Sequence, residues 1–234
     1  MQRGHPDAAS VFFQYVAFFA PIVQQSDATG CYFTISDIPY HNPNTSVMIT
    51  ILYCHPYEKS FNHSMLQAIT DRLTDEGREY DVIDLYADHF DPVLSTTQLS
   101  MYSKGNTNDE NVLRYQTALR QTHHLILMFP IWWGLMPAML KGFIDKTFLK
   151  GIIYDTTPEG TLMPCLTIDR TTIITTSEED TSIIAPFIEG YLTPLVLNTV
   201  GINGVRWFNC DHVKSGTDDR RRTFMAEVLK DIIN

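Results

Sequence analysis

Two short segments carry side chains whose types and spacing suit ligand chemistry. The first is His55 to Ser64, where an apolar run gives way to a helical pattern. The first turn of such a helix presents unpaired N–H groups at the positive end of its dipole, a natural seat for phosphate. Ser60, Asn62 and Ser64 add short polar donors there, and the His55 imidazole can donate to a phosphate oxygen. The same spacing also fits a plain capped helix with a satisfied histidine, since neither G-x-G-x-x-G nor a Walker lysine loop is present. The second segment is Pro130-Ile131-Trp132-Trp133-Gly134. Loops lie at the surface, where wet indole rings are unfavourable. Two tryptophans there call for a flat partner, or for cover by another part of the fold or by a second subunit.

These segments need elements to position them, and the chain supplies an alternation of strand and helix. Met48–Cys54 reads as a buried strand. A helix comes next, from Phe61 to Glu76, with Ser60 as N-cap, apolar residues at 61, 65, 69 and 73, and Gly77 at its end. Tyr80–Leu85 alternates as a second strand, and a long loop with Pro92 and Gly105 runs to about 108. Asn108 or Asp109 caps a helix to about Gln121, and His123–Phe129 is the third strand. The next helix starts at Pro137, which suits a first turn, and runs to about Leu149. Lys150–Asp169 reads as irregular, Thr171–Thr176 as the fourth strand and Gly204–Cys210 as the fifth. Ile183–Val200 is partly helical, with Pro186 and Pro194 expected to break or restrict it, and Thr217–Ile233 is a final amphipathic helix.

Five such units imply a parallel sheet with helices on both faces, and ligands bind beyond the carboxyl ends of its strands. The loops after 54, 129 and 176 share that edge. His123 and His124 open a strand, so they belong to the opposite edge as structural or surface residues, and no metal site is expected. Gly142 inside a helix calls for close packing on the sheet or a partner subunit. Lys141 and Asp145 make a solvated i,i+4 pair.

Composition narrows the class. The formal net charge of −10 argues against nucleic acid as a partner, and 44% hydrophobic residues are ample for a core in 234 residues. Cys31, Cys54, Cys165 and Cys210 are scattered without a CxxC pair, which fits a reducing cytoplasm. Val11–Val23 is apolar but shorter than the ~20 residues of a bilayer span, and no integral membrane span is expected. Ser36–Ser46 reads as a linker. Residues 1–46 are therefore expected to be an extension outside the fold, or the product of a start placed upstream, with the compact domain over 47–234.

The tryptophan loop and the helix after it, Phe129-Pro130, Trp132-Trp133, Pro137-Ala138, Met139-Leu140, Lys141-Gly142 and Phe143, closely resemble the flavodoxin-like NAD(P)H:quinone oxidoreductases. Ile51-Leu52-Tyr53-Cys54-His55-Pro56, with Lys59-Ser60-Phe61-Asn62 just beyond, resembles that family's first strand and phosphate-side turn. The resemblance runs over roughly 48–234 and weakens beyond about 155. It implies a flavodoxin-like α/β three-layer sandwich with sheet order 2-1-3-4-5. It also implies a tightly bound flavin, FAD or FMN, with NAD(P)H as co-substrate. By the same resemblance His55, Lys59, Ser60, Phe61, Asn62 and Ser64 hold the phosphate-bearing tail. Pro130, Ile131, Trp132, Trp133 and Gly134 line the ring, and Thr175, Thr176 and Ser177 meet its pyrimidine edge. Trp132, Trp133 and Met136 would wall the acceptor pocket, with Tyr154 and the 150–166 segment shaping it.

The implied reaction is two-electron, ping-pong hydride transfer to a small-molecule acceptor, quinone-like or an azo or nitro aromatic. No catalytic side chain is assigned, and a homodimer is expected. Two departures stand out. Ser177 and Glu178 replace glycines of the family, and Glu178 near the ring would lower the flavin's potential. The tyrosine and histidine that assist hydride transfer in the best-known quinone reductases have no counterpart in Glu179–Glu189. A flavodoxin-type electron carrier and an ancillary subunit of a potassium-efflux system are the alternatives.

Overall fold

Residues 48–234 are described by the structure, a computed structural model. The extension expected over residues 1–46 lies outside them. Five parallel strands form the main sheet: β1 (Ile49–Tyr53), β2 (Tyr80–Asp84), β3 (His124–Pro130), β6 (Arg170–Thr176) and β7 (Val205–Cys210), in the order β2-β1-β3-β6-β7. Counting these strands alone, this is the expected 2-1-3-4-5 arrangement. All residues of β1 and β3 are buried, because a central parallel strand is covered on both faces.

Alternate residues of the strands feed two cores. Ile49, Ile51, Ile126, Met128 and Ile174 pack with α1 (Phe61–Asp75) and α6 (Asp218–Ile233). Leu52, Leu125, Leu127, Phe129 and Ile173 pack with α3 (Glu110–Gln121) and α4 (Ala138–Thr147) on the other face. Ser60 caps α1 by accepting from the His63 N–H, and Gly77 ends it at φ +63°. Pro137 stands at the N-cap of α4, one position before the expected first turn.

The long connection from 85 to 109 contains a helix that the sequence pattern does not announce, α2 (Thr96–Tyr102), opened by a reciprocal Ser95–Gln98 capping box. Lys146 of α4 clamps this connection. Its buried Nζ meets Asp109 Oδ2 at 2.7 Å and donates to the Asp91 carbonyl at 2.7 Å. Asp109 also caps α3 through the Asn111 and Val112 N–H groups. Gly142 packs on the same connection: a Cβ there would lie 2.3 Å from the Pro92 Cβ and carbonyl oxygen.

The stretch expected to be irregular holds a small antiparallel hairpin, β4 (Tyr154–Thr156) and β5 (Leu162–Pro164), outside the main sheet. The prolines expected to break or restrict the next helix do not break it, but regular α winding stops after Phe187. α5 (Thr181–Phe187) continues as a π-helix over Ile188–Leu197 and a 3₁₀ turn over Asn198–Val200. The wider i→i+5 winding around Pro194 relieves the clash of a proline ring with the preceding turn. Neither proline is buried, so the carbonyls they leave free can reach water. By length and apolar composition this run of 20 residues could cross a membrane. Here Ile184, Ile188, Leu192, Leu197 and Val200 form a stripe buried in the core.

The amino edge of the sheet is tied by a buried polar chain. His124 Nε2 lies 2.9 Å from Thr172 Oγ1, and Thr172 donates to Asp231 Oδ2 at 3.2 Å. His124 must therefore carry its proton on Nε2, which leaves Nδ1 buried without a partner. Arg206 pairs with Asp231, and Arg170 donates to its carbonyl. Burial, with Arg170 and Arg78 adding to it, pushes the His124 pKa down to about 3. This matches the structural role expected for that histidine.

This packing makes two outcomes measurable. Gly142→Ala should destabilise the fold by about 2 kcal/mol in urea unfolding, reversing the gain of about 1 kcal/mol usual in a helix. Below pH ~6.5 an unfolded chain protonates His124 while the folded chain does not. The stability tied to this group is full above that pH. It is lost toward pH 3 at about 1.4 kcal/mol per unit. His124→Gln should flatten the difference in urea stability between pH 6 and pH 4.

Candidate functional site

Three loops meet at the carboxyl edge because the parallel sheet ends all three strands on one side. The Cys54 N–H donates to the Met128 carbonyl at 2.9 Å, joining the first loop to β3. The Ile131 N–H donates to the Thr176 carbonyl at 2.8 Å, joining the second to the third. Asn62 Nδ2 donates to Thr176 Oγ1 at 2.8 Å, joining the third to α1.

The first loop forms an anion-type cradle. The Phe61 and Asn62 N–H groups are unpartnered among the described residues. Asn62 is only 3% exposed, and its Oδ1 has no partner. A buried acceptor without a partner is costly, and a donor from an ordered water or from a ligand at the cradle would satisfy it. His55 Nδ1 accepts from the Tyr57 N–H at 3.1 Å, so the neutral ring carries its proton on Nε2 as a donor. Burial lowers its pKa and favours that neutral form. Lys59 and Ser64 are exposed beside the cradle, and Ser60 is half-buried.

The second loop is a tight hairpin, which the sequence pattern does not foretell. Trp132 and Leu135 exchange both backbone hydrogen bonds, at 3.0 and 3.2 Å. Trp133 (φ +54°) and Gly134 (φ +74°) occupy the turn, with the positive φ at both positions that a type I′ turn requires. The X-Gly pair is the sequence signal for this turn. Glycine suits its place; tryptophan in the left-handed region is strained by roughly 1 kcal/mol or more. Trp133 is also 100% exposed, Trp132 is 42% exposed and Leu135 is exposed. The Trp133 and Gly134 N–H groups have no partner among the described residues. Pro130 and Ile131 are buried beneath the hairpin, and Met136 is half-buried after it. His55 meets Trp132 edge-on, with ring centroids 6.1 Å apart.

The third loop is mostly committed to the protein. Thr175 Oγ1 donates to Asn209 Oδ1 and accepts from Trp207 Nε1, both at 2.8 Å. Ser177 Oγ donates to the Glu179 carbonyl at 2.8 Å. Asn209 Nδ2 reaches Ser177 Oγ and Thr181 Oγ1 at 3.0 Å. Only Thr176 of the three turns its hydroxyl toward α1 and Asn62. Asn209 organises this loop and carries no sequence signal, since nothing local pairs it with residues thirty positions earlier. Glu178 accepts from the Lys214 and Ser215 N–H groups, which lower its pKa. Its carboxylate thus braces the loop after β7.

Tyr154, expected to shape the site, lies in the β4–β5 hairpin and is half-buried. Two surface clefts lie away from this edge. One is lined by Met48, Asp81, Leu113 and Arg114 and the other by Arg72, Leu229 and Ile233. The carboxyl edge is recognised by its chemistry rather than its depth.

The fold and these loops define a known class: residues 48–232 match the family described as flavodoxin-like fold, and the chain belongs to it. Among curated relatives, it is 28% identical over 123 residues to ribosyldihydronicotinamide dehydrogenase (quinone) of Rattus norvegicus, covering 46% of this chain and 53% of that protein. It is 32% identical over 120 residues to NAD(P)H dehydrogenase (quinone) 1 of Cavia porcellus, covering 44% of each. The chain thus spans about half the length of the curated relatives it matches. A crystal structure of Smu.1420 from Streptococcus mutans UA159 superposes with a TM-score of 0.67 at 30% identity, covering 78% of this chain and 97% of that one.

The residues present fit a phosphate-bearing flavin. Unpaired N–H groups suit its phosphate, the open Asn62 acceptor suits a polyol hydroxyl, and the exposed indole suits a flat ring. Asn62→Leu removes the orphaned acceptor, but it also removes the Nδ2–H that meets buried Thr176 and adds bulk at a buried position. It should destabilise the flavin-free protein by about 1–3 kcal/mol in urea unfolding. FMN affinity of the folded variant, read by quenching of flavin fluorescence, should fall about tenfold.

Proposed function

We propose that this protein is a flavin-dependent NAD(P)H oxidoreductase that reduces a quinone-like aromatic acceptor by two electrons. The observation carrying this reading is Trp133, fully exposed and held at positive φ next to Trp132, whose ring meets His55 of the first loop. Strain of this kind persists where the surrounding structure holds it for a purpose. A bound flavin, FMN or FAD, supplies the hydride chemistry at its N5.

The chain's own residues do the rest. The Phe61 and Asn62 N–H groups, the Ser60 and Ser64 hydroxyls, the His55 Nε2–H and the Lys59 charge hold the phosphate end. The Trp133 and Gly134 N–H groups are available as donors to the polar edge of the ring, where they favour electron density on it. Pro130 and Ile131 set the floor from which the hairpin rises. Thr176 meets the pyrimidine side, with Thr175 and Ser177 fixing its loop from behind. Trp132, Trp133 and Met136 wall the pocket that nicotinamide and acceptor occupy in turn, and one shared pocket gives ping-pong kinetics. No side chain acts as a nucleophile.

A second copy of the chain, covering Trp133 and Leu135, would exclude water from the ring. The β4–β5 hairpin with Tyr154 lies on the segment expected near that seam. Residues 1–46 are proposed to be an appendage that the reaction does not need. The free thiols of Cys54, Cys165 and Cys210 fit a cytoplasmic setting.

The test is anaerobic mixing of the purified, flavin-loaded chain with NADPH or NADH, and then with a benzoquinone. Rapid bleaching of the flavin absorbance and its return on adding the quinone are expected. A flavin that stays oxidised with both nicotinamides would reject the enzyme reading in favour of a carrier.

A further inference from the structure

We infer that His55 couples the two ends of the site: a phosphate held at α1 fixes the imidazole, and the imidazole fixes Trp132 and the hairpin it anchors. This rests on the flavin reading above and adds a positioning role that the reading does not require.

The wiring is visible in the contacts. His55 is the shared neighbour of both loops. On one side its Nδ1 accepts from the Tyr57 N–H in the turn that leads into α1. On the other its ring stands edge-on to Trp132 at 61°. With Nδ1 occupied, the ring's remaining polar atom is the Nε2–H donor. A phosphate oxygen at the α1 N-terminus is an acceptor suited to it. The open N–H groups of Phe61 and Asn62 supply the anion's other contacts. The unpartnered, buried Asn62 Oδ1 marks the same place as a ligand site. That oxygen calls for a donor beside the anion, which a hydroxyl of a phosphorylated polyol would bring.

Trp132 has no reason to affect phosphate unless His55 transmits the effect. Trp132 pairs with Leu135 through its main chain, and its indole's contact with His55 is the link to the first loop. The imidazole has few ways to move: one nitrogen is tied to the backbone and one edge abuts the indole. Ordering it at the phosphate therefore orders the near wall of the ring pocket, and a flavin lacking its phosphate would leave that wall looser. Energetic coupling between touching groups that share a ligand commonly amounts to about a threefold effect or more.

The test is a double-mutant cycle in the full chain, with His55→Gln and Trp132→Leu made singly and together. The readouts are the dissociation constant for FMN and that for inorganic phosphate, the latter by competition against FMN. Trp132→Leu should weaken inorganic phosphate about threefold or more when His55 is present, and by less than about 1.5-fold in the His55→Gln background. Phosphate has no ring to stack, so a merely structural Trp132 would leave its affinity unmoved. Equal effects in both backgrounds, or no effect in either, overturn the coupling while leaving the flavin reading intact. Failure of the unmodified chain to bind either FMN or phosphate overturns both. Should Trp132→Leu unfold the chain, Trp132→Phe keeps a ring of smaller reach and should weaken phosphate in the same direction, only less.

Discussion

Everything at this site depends on one costly turn. A tryptophan stands in water on a left-handed backbone, beside a second indole, at the end of a strand buried along its whole length. Each part of that arrangement opposes folding. The indole exposes apolar area, and its Cβ crowds the backbone at positive φ. The hairpin endures because β3 delivers it rigidly. Pro130 pairs with Thr176 in the ladder, and the Ile131 N–H locks the next residue to the same carbonyl edge. Strain there makes sense if a flat ligand recovers it by covering the ring.

The two edges of the sheet divide the labour. At the amino edge most polar groups are closed on one another: His124, Thr172 and Asp231 form a buried chain that Arg206 completes, with the His124 Nδ1 left over. At the carboxyl edge they are left partly open. Asn62 commits its amide nitrogen to Thr176 and keeps its oxygen unused, His55 commits one nitrogen and keeps the other, and two turn N–H groups donate to nothing among the described residues. The amino-edge chain holds the fold together, whereas the turn N–H groups and the His55 Nε2–H of the carboxyl edge are free to meet a ligand. The network of Asn209, Thr175, Trp207 and Ser177 lies between these extremes and keeps the third loop from collapsing into the site.

Much of this is legible in the residues. Buried parallel strands read as near-continuous apolar runs, so β1 and β3 stand out, β6 shows instead by its β-branched Thr and Ile, and Ser60 with Gly77 brackets α1. The loops of the site come with them, because parallel strands must end together. What stays hidden has physical causes. α2 buries none of its residues, so it has no apolar stripe, and its Ser95–Gln98 capping box is the available clue. The helix through Pro186 and Pro194 continues because both prolines lie off the buried stripe and the winding widens to π geometry around Pro194. The hairpin defies propensity, since tryptophan is a poor residue for its position. The fate of Thr175 is set by Asn209 and Trp207 across the sheet, and Glu178 is claimed by backbone donors of the loop after β7. Neither partner can be read from local spacing.

The central claim is that Trp133 is held in its strained, wet position for the sake of a flat bound ring, and Trp133→Asn tests it most directly. Asparagine before glycine is a preferred pair for a type I′ turn, so the substitution should relieve the backbone. The account predicts that the flavin-free protein gains about 1 kcal/mol in urea unfolding while FMN binds at least about tenfold more weakly. Undiminished FMN affinity in that variant would contradict it.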